Sequence, residues 1–177
     1  MTVPARPIKP GPQQAAGLQM PLPDPRPMAI TLSDEAATLA LAVRLAAVAR
    51  PGDAILLEGG LGSGKTCFAR GLLTALGVSE EVPSPTFTLV QAYETAKGPA
   101  WHLDLYRVKR PEEALELGFE EARAEAIIII EWPDRLGPFR PSDALTVALK
   151  ITGPTEREAV LSGGGDWPAR LAEAGLG

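Results

Sequence analysis

The sequence predicts an α/β fold of three layers, with helices on both faces of a sheet of mixed parallel and antiparallel strands. The apolar segment 54–58 precedes a glycine-rich loop and then a segment with helical periodicity, which gives a strand, loop and helix in order. The segment 126–130 contains four consecutive isoleucines, as is typical of a central strand buried on both faces. The segments 143–151 and 156–162, joined through Gly153-Pro154, predict an antiparallel pair that closes the sheet.

The loop after the first of these strands has the sequence GGLGSGKT at residues 59–66, which is the spacing of a phosphate-binding P-loop. Its glycines let the backbone adopt positive φ angles, so that successive N–H groups can point at phosphate oxygens. We expect Lys65 to reach the β- and γ-phosphates and Thr66 to offer its hydroxyl to Mg²⁺. A helix from Cys67 to Leu76 would complete the anion site with its N-terminus. The predicted sheet is therefore P-loop NTPase-like, and ATP or GTP is the expected ligand.

The N-terminal part divides into a tail and the start of one domain. Residues 1–27 hold eight of the 18 prolines and show no apolar period, which predicts a disordered, proline-rich tail. Residues 28–177 are long enough to form a single P-loop domain. Its first segment, 28–32, predicts an edge strand, and Ser33 predicts the N-cap of a helix that runs to about Arg50.

A candidate switch segment follows the P-loop helix. Pro85 forces Ser84 into an extended conformation, so the segment 84–86 presents its hydroxyls stiffly. Other P-loop proteins place a segment that senses the γ-phosphate in this position. An ordinary turn into the next predicted strand, 87–93, is the alternative.

A second predicted strand, 101–106, carries polar side chains on one face. His102, Asp104 and Tyr106 alternate with apolar residues and therefore share that face. A solvent-exposed face would explain His102 and Tyr106. Asp104 is the candidate functional residue, because aspartate is disfavoured within strands.

The isoleucine strand ends at Glu131, and this is the second strong motif. In open α/β sheets, ligands bind outside the carboxyl ends of the strands, so Glu131 is expected at the site. An apolar strand followed by an acid is the Walker B pattern, which holds Mg²⁺ directly or through water. A solvated strand end is the alternative for Glu131.

The composition excludes several classes of protein. The net charge of −5 argues against a chain that grips nucleic acid with its own basic face. The one cysteine, Cys67, allows no internal disulfide, and no apolar run approaches the roughly 20 residues of a membrane span. We therefore expect a cytoplasmic protein without a membrane partner.

Four segments in register carry a resemblance to a known family. They are 59–71 (GGLGSGKTCFARG), 84–90 (SPTFTLV), 102–107 (HLDLYR) and 130–134 (IEWPD). Together they resemble the TsaE family, also called YjeE, which are small bacterial P-loop ATPases of tRNA threonylcarbamoyladenosine biosynthesis. The resemblance covers about residues 30 to 162. The family commonly has Asp at the position of Gly60 and often Ala at that of Ser63, and neither difference removes a backbone amide.

The resemblance implies roles for individual residues. Lys65 and the loop amides would bind ATP, Thr66 and Glu131 would hold Mg²⁺, and Asp104 would be the acid beside the γ-phosphate. The candidate catalytic residues are thus Lys65, Asp104 and Glu131. The stretch 33–35 before the first helix resembles a segment that lies near the nucleotide base in the family. The residues that the resemblance places at the nucleotide are Ser33, Gly60, Leu61, Gly62, Ser63, Gly64, Lys65, Thr66, Cys67, Thr86, Trp132, Asp134 and Arg157.

The resemblance also implies partners, namely the TsaD and TsaB proteins, with tRNA contacted only indirectly through them. No arginine is recognisable as a catalytic arginine finger, so slow hydrolysis by the chain alone and activation by a partner are expected. Two alternatives remain at this point. A small-molecule P-loop kinase shares the size and the loop, and a GTPase-like switch is suggested by the Asp-x-x-Gly pattern at 134–137.

Overall fold

The computed structural model describes residues 27–177. The strands are β1 (Met28–Leu32), β2 (Ala54–Glu58), β3 (Val90–Thr95), β4 (Gly98–Asp104), β5 (Ile127–Glu131), β6 (Leu145–Ile151) and β7 (Arg157–Gly163). The helices are α1 (Glu35–Val48), α2 (Lys65–Ala75), α3 (Pro111–Leu115), α4 (Phe119–Ala122) and α5 (Trp167–Glu173), and a 3-10 segment spans Pro133–Phe139. The predicted tail lies, except for Pro27, outside the described residues. Between residues 27 and 177, no helix combines the length and the apolar character that a bilayer crossing needs.

One sheet of seven strands runs through the described residues, in the order β1-β7-β6-β2-β5-β4-β3. The four central strands, β6, β2, β5 and β4, are parallel to one another. β7 pairs antiparallel with β6 on one side, and β3 pairs antiparallel with β4 on the other. The carboxyl ends of β2, β5 and β4 therefore lie side by side at one edge of the sheet, where ligands bind in such folds.

Helices cover both faces of the sheet. One core cluster joins α1, α2 and α5 to Ile55, Leu57, Ile127 and Ile129. The other joins α3, α4 and the 3-10 segment to Leu56, Ile128 and Ile130. The successive isoleucines of β5 thus point alternately into the two clusters, and all are fully buried. The predicted three-layer fold of mixed strand direction is confirmed.

The start of α1 differs from the prediction. Asp34, not Ser33, is the N-cap, and its carboxylate accepts a hydrogen bond from Ala37 N at 2.8 Å. Ser33 was predicted because serine is a good capping residue, but the adjacent Asp34 caps a helix equally well. Ser33 is exposed one residue before the cap.

The strands before the isoleucine strand also differ from the prediction. The predicted strand 87–93 begins only at Val90, because residues 85–88 form a turn that Leu89 N closes on Pro85 O at 2.7 Å. Leu89 has a φ of 65°, which a regular strand does not allow. β4 ends at Asp104, so Tyr106 lies beyond the strand and is 42% exposed.

Candidate functional site

The P-loop backbone turns the chain from the end of β2 into α2. The φ angles are 141° at Gly59, 73° at Gly62 and 102° at Gly64, a region that favours glycine. Gly64 is the N-cap of α2 and supplies no side-chain cap. The first N–H groups of this 11-residue helix are therefore available to an anion, together with the helix dipole.

Lys65 lies folded against this loop and is only 5% exposed. Its Nζ donates to Gly59 O at 2.7 Å and to Gly60 O at 2.8 Å, and it lies 4.0 Å from the ring centroid of Trp132. Burial lowers the pKa of Lys65, although the charges of Glu131 and Asp104 oppose that shift. Within the described residues no carboxylate forms a salt bridge with Lys65, so its cation has only carbonyls and a ring as partners and suits an incoming anion.

Thr66 and Glu131 come together from α2 and β5. Thr66 Oγ1 donates to Glu131 Oε2 at 2.9 Å. Adjacent oxygen ligands of an octahedral Mg²⁺, each about 2.0–2.1 Å from the ion, lie about 2.9 Å apart. The pair therefore fits the sequence-predicted magnesium site. Between residues 27 and 177, at this site or any other, no cluster of three or more His, Cys, Asp or Glu side chains could hold a metal, so protein ligands would supply only part of the coordination.

Asp104 reaches the same place from the end of β4, where it lies opposite Glu131 in the strand register. It is 4% exposed. Its Oδ2 accepts a hydrogen bond from Thr86 Oγ1 at 3.0 Å, and its Oδ1 accepts one from Tyr106 N at 2.9 Å. Ser84 Oγ extends the chain to Thr86 Oγ1 at 2.7 Å. The predicted switch segment is thus hydrogen-bonded to the predicted catalytic acid.

These groups surround a cleft of about 330 Å³, which we call the P-loop cleft. It is lined by Leu61, Gly62, Gly64, Lys65, Thr66, Cys67, Ser84, Thr86, Asp104, Tyr106, Glu131 and Trp132. An adjacent cleft of about 420 Å³, the Arg157 cleft, shares Gly64 and Cys67 with it. The second cleft is also lined by Asp34, Glu35, Thr38, Pro154, Thr155 and Arg157. Two clefts that share residues at a helix N-terminus suit a ligand with an anionic part and a bulkier part.

Comparison with known proteins identifies the chain. A family model described as "Threonylcarbamoyl adenosine biosynthesis protein TsaE" matches residues 32–159. The chain belongs to the TsaE family. This confirms the resemblance seen in the sequence and makes the chain a P-loop protein of a nucleotide-binding kind.

Two relatives and a solved structure show the extent of the similarity. The TsaE protein of Bacillus subtilis is 36% identical over 137 residues, covering 77% of this chain and 85% of the relative. That of Rickettsia felis is 40% identical over 129 residues, covering 72% and 75%. Both are named "tRNA threonylcarbamoyladenosine biosynthesis protein TsaE". The crystal structure of YdiB from B. subtilis has a TM-score of 0.71 at 30% identity and covers 84% of this chain and 93% of its own.

In this TsaE family member, most of the residues proposed from sequence lie at the two clefts. Arg157 lies at the second cleft, and its Nη2 donates to Gly62 O at 3.0 Å, which ties β7 to the P-loop. Ser63 is buried in the loop, and its Oγ has no hydrogen-bond partner within residues 27–177. Four of the proposed residues line neither cleft, namely Ser33, Gly60, Ser63 and Asp134. Gly60 and Ser63 still belong to the P-loop, whereas Ser33 precedes α1 and the Asp134 side chain is 70% exposed.

Two parts of the TsaE site were predicted only incompletely from the sequence. Of the stretch 33–35, which the resemblance places near the nucleotide, Asp34 and Glu35 line the Arg157 cleft, whereas Ser33 does not. His102 is fully buried, and its Nε2 lies 2.8 Å from Glu131 Oε1. The alternation of β4 placed His102 on the same face as Asp104, but nothing in the sequence showed that α2 covers this face.

Proposed function

We propose that this chain is a Mg²⁺-dependent ATPase that serves the threonylcarbamoyl modification of adenosine 37 in tRNA, together with the TsaB and TsaD proteins. The observation that carries the ATPase part is the convergence of three strand ends. The P-loop follows β2, Glu131 ends β5 and Asp104 ends β4, and all of them meet at one cleft. A phosphate cradle, a magnesium pair and a further acid are the parts that phosphoryl transfer to water needs.

Each side chain has a role that follows from its contacts. ATP is the substrate and binds in the P-loop cleft, where Lys65 and the loop amides hold its phosphates. Thr66 and Glu131 would hold Mg²⁺, which would supply positive charge to offset the negative charge of the phosphates. Asp104 keeps free lone pairs beside its two hydrogen bonds, since a carboxylate has about four acceptor positions. It can therefore accept a proton from a water and orient that water for attack.

The adenosine part is assigned to the Arg157 cleft. This cleft continues from Gly64 and Cys67, which both clefts share. Asp34 and Glu35 offer carboxylates that could accept from an amino group, as adenine carries. No observation between residues 27 and 177 favours the small-molecule kinase or the GTPase-like switch over this assignment.

Activation by a partner is part of the proposal. None of the arginines within residues 27–177 lines the P-loop cleft. The site therefore lacks an arginine finger of its own, a group that raises the rate of hydrolysis by about 10³–10⁵-fold in related enzymes. Leu61 at the loop tip is 72% exposed, Phe87 beside Thr86 is 83% exposed and Tyr106 is 42% exposed. Exposed apolar side chains around the mouth of a site suit a protein partner. The acidic net charge of −5 supports indirect contact with tRNA, and the cytoplasm is the proposed location because tRNA is modified and used there.

The test is release of inorganic phosphate from ATP, titrated with TsaB and TsaD, with Lys65→Ala as the inactive control. The proposal expects slow release by the chain alone and a rise of at least tenfold at saturating partners. Equal turnover with and without the partners would contradict partner activation. Turnover that Lys65→Ala retains in full would contradict the assignment of the site.

A further inference from the structure

The imidazole of His102 lies behind the magnesium pair, inside the protein. His102 is on β4, two residues before Asp104, and its register partner on β5 is Ile129, two residues before Glu131. The side chain is 0% exposed. It therefore cannot touch a ligand in the P-loop cleft, and it does not line that cleft.

The contacts of Glu131 show what His102 does touch. His102 Nε2 lies 2.8 Å from Glu131 Oε1, while Thr66 Oγ1 donates to Oε2 at 2.9 Å. Glu131 can bind Mg²⁺ only as a carboxylate, which only accepts hydrogen bonds, so in that role His102 Nε2 must be the donor. Each oxygen of Glu131 is thus held by a different element, one by β4 and one by α2. Two such contacts fix the plane of a carboxylate that ends a flexible side chain.

Stability alone does not account for a histidine at this position. The other ring nitrogen, Nδ1, is buried and has no hydrogen-bond partner within the described residues. Leaving a buried polar group unpaired is unfavourable, and an apolar side chain of similar size would avoid the problem. Its neighbours on β4 and β5, Leu103 and Ile129, are apolar and fully buried. The contact with Glu131 is the gain that an apolar residue could not supply.

We propose that His102 is a positioning residue that holds the Glu131 carboxylate in the orientation required to bind Mg²⁺ with Thr66. This inference rests on the proposed function, since it assigns a magnesium role to Glu131. Partners that orient a metal ligand typically change metal affinity by about 10–100-fold when they are removed. The effect is therefore expected in the Mg²⁺-dependent part of nucleotide affinity and not in the metal-free part.

Three variants separate positioning from packing. The amide nitrogen of Gln in His102→Gln can take the place of Nε2, whereas the shorter Asn in His102→Asn places its amide near the position of Nδ1. His102→Leu removes the donor altogether. ATP affinity is measured by calorimetry in excess Mg²⁺ and again in EDTA, and thermal unfolding of each variant is recorded alongside.

In Mg²⁺, His102→Leu and His102→Asn are expected to lose about 10–100-fold in ATP affinity, whereas His102→Gln should keep most of it. In EDTA, the ATP affinity of each variant should change by less than about twofold. Equal ATP affinities of the Gln and Asn variants in Mg²⁺ would overturn the inference. These two variants can still be compared if the Leu variant fails to fold. Equal losses with Mg²⁺ and in EDTA would also overturn it, because they indicate packing. If the unchanged chain binds ATP no better with Mg²⁺ than in EDTA, the magnesium site of the proposed function fails, and the role of His102 fails with it.

Discussion

Two adjacent glycines of the P-loop are expected to respond in opposite ways to the same substitution. A Cβ at Gly59 would lie 2.4 Å from Leu149 O, a backbone atom of β6, and 2.4 Å from Ser63 Oγ. Gly59 also has a φ of 141°, which side chains with a Cβ rarely adopt. Gly60 has no atom within 4 Å of the corresponding point and no positive φ. Gly59→Ala and Gly60→Ala are therefore a matched pair.

The size of the effect at Gly59 follows from these two conflicts. A backbone held in a sparsely populated region costs about 1–3 kcal/mol. Overlap that the neighbours must relieve by moving costs about another 1–3 kcal/mol. Gly59→Ala should thus lower the free energy of unfolding by about 2–6 kcal/mol, while Gly60→Ala should change it by less than about 0.5 kcal/mol. For a chain of this length, 1 kcal/mol corresponds to roughly 2–4 °C in Tm.

Circular dichroism on heating measures both variants beside the unchanged chain. A fall in Tm of roughly 5–20 °C for Gly59→Ala and of at most about 2 °C for Gly60→Ala is expected. ATP affinity should fall only in Gly59→Ala, because relieving the overlap of its Cβ must move the loop backbone that binds Lys65, whereas a Cβ at Gly60 meets no atom. Equal losses of stability in the two variants would refute the described path of the loop between β2 and α2.

Three further predictions concern single side chains. Asp104→Ala should keep its ATP affinity within about threefold of that of the unchanged chain but lose about 100-fold or more in turnover. An equally large loss of ATP affinity in calorimetry would contradict the proposal that Asp104 orients the attacking water. Arg170→Met should lower the free energy of unfolding in urea by about 3–5 kcal/mol, because it leaves the buried Asp53, 2.9 Å from Arg170 Nη1, without its cation; a loss below about 1 kcal/mol would contradict this. The hydrogen bond from the Arg123 guanidinium lowers the pKa of Asp143. The ion pair therefore stabilises the folded chain at pH values above the ordinary pKa of aspartate, and this stabilisation is lost as the pH falls through the lowered pKa. Arg123→Met should therefore lower the free energy of unfolding by at most about 1 kcal/mol at pH 7, and by less than that below about pH 3, in the same urea assay. A loss of equal size at both pH values would contradict a role for the ion pair.

Local signals made the centre of the fold predictable. Four isoleucines in a row indicate a strand buried on both faces whatever the surroundings, and β5 is such a strand. The glycines and Lys-Thr of the P-loop predict a loop and a helix from their own chemistry. The closing pair was also predictable, because β6 and β7 alternate and a Gly-Pro turn separates them.

Features that depend on a neighbouring element were not predictable. The helix α1 is rich in Ala and Leu on every side, so its sequence does not state which face meets the sheet. In the structure Val43 is 54% exposed, whereas Leu41 and Leu45 are buried. Phe87 was expected in a strand, but it lies exposed on the turn that precedes β3. The burial of His102 likewise depends on the helices of the core cluster that covers its face of the sheet.

Calorimetry of ATP binding in Mg²⁺, with Lys65→Ala as the control and GTP as the competitor, measures whether this P-loop forms an ATP site. One ATP per chain is expected, with a loss of affinity of at least about tenfold in Lys65→Ala and little displacement of ATP by an equal concentration of GTP. Binding that survives Lys65→Ala unchanged, or GTP that displaces ATP as well as ATP itself does, would contradict an ATP site built on this P-loop.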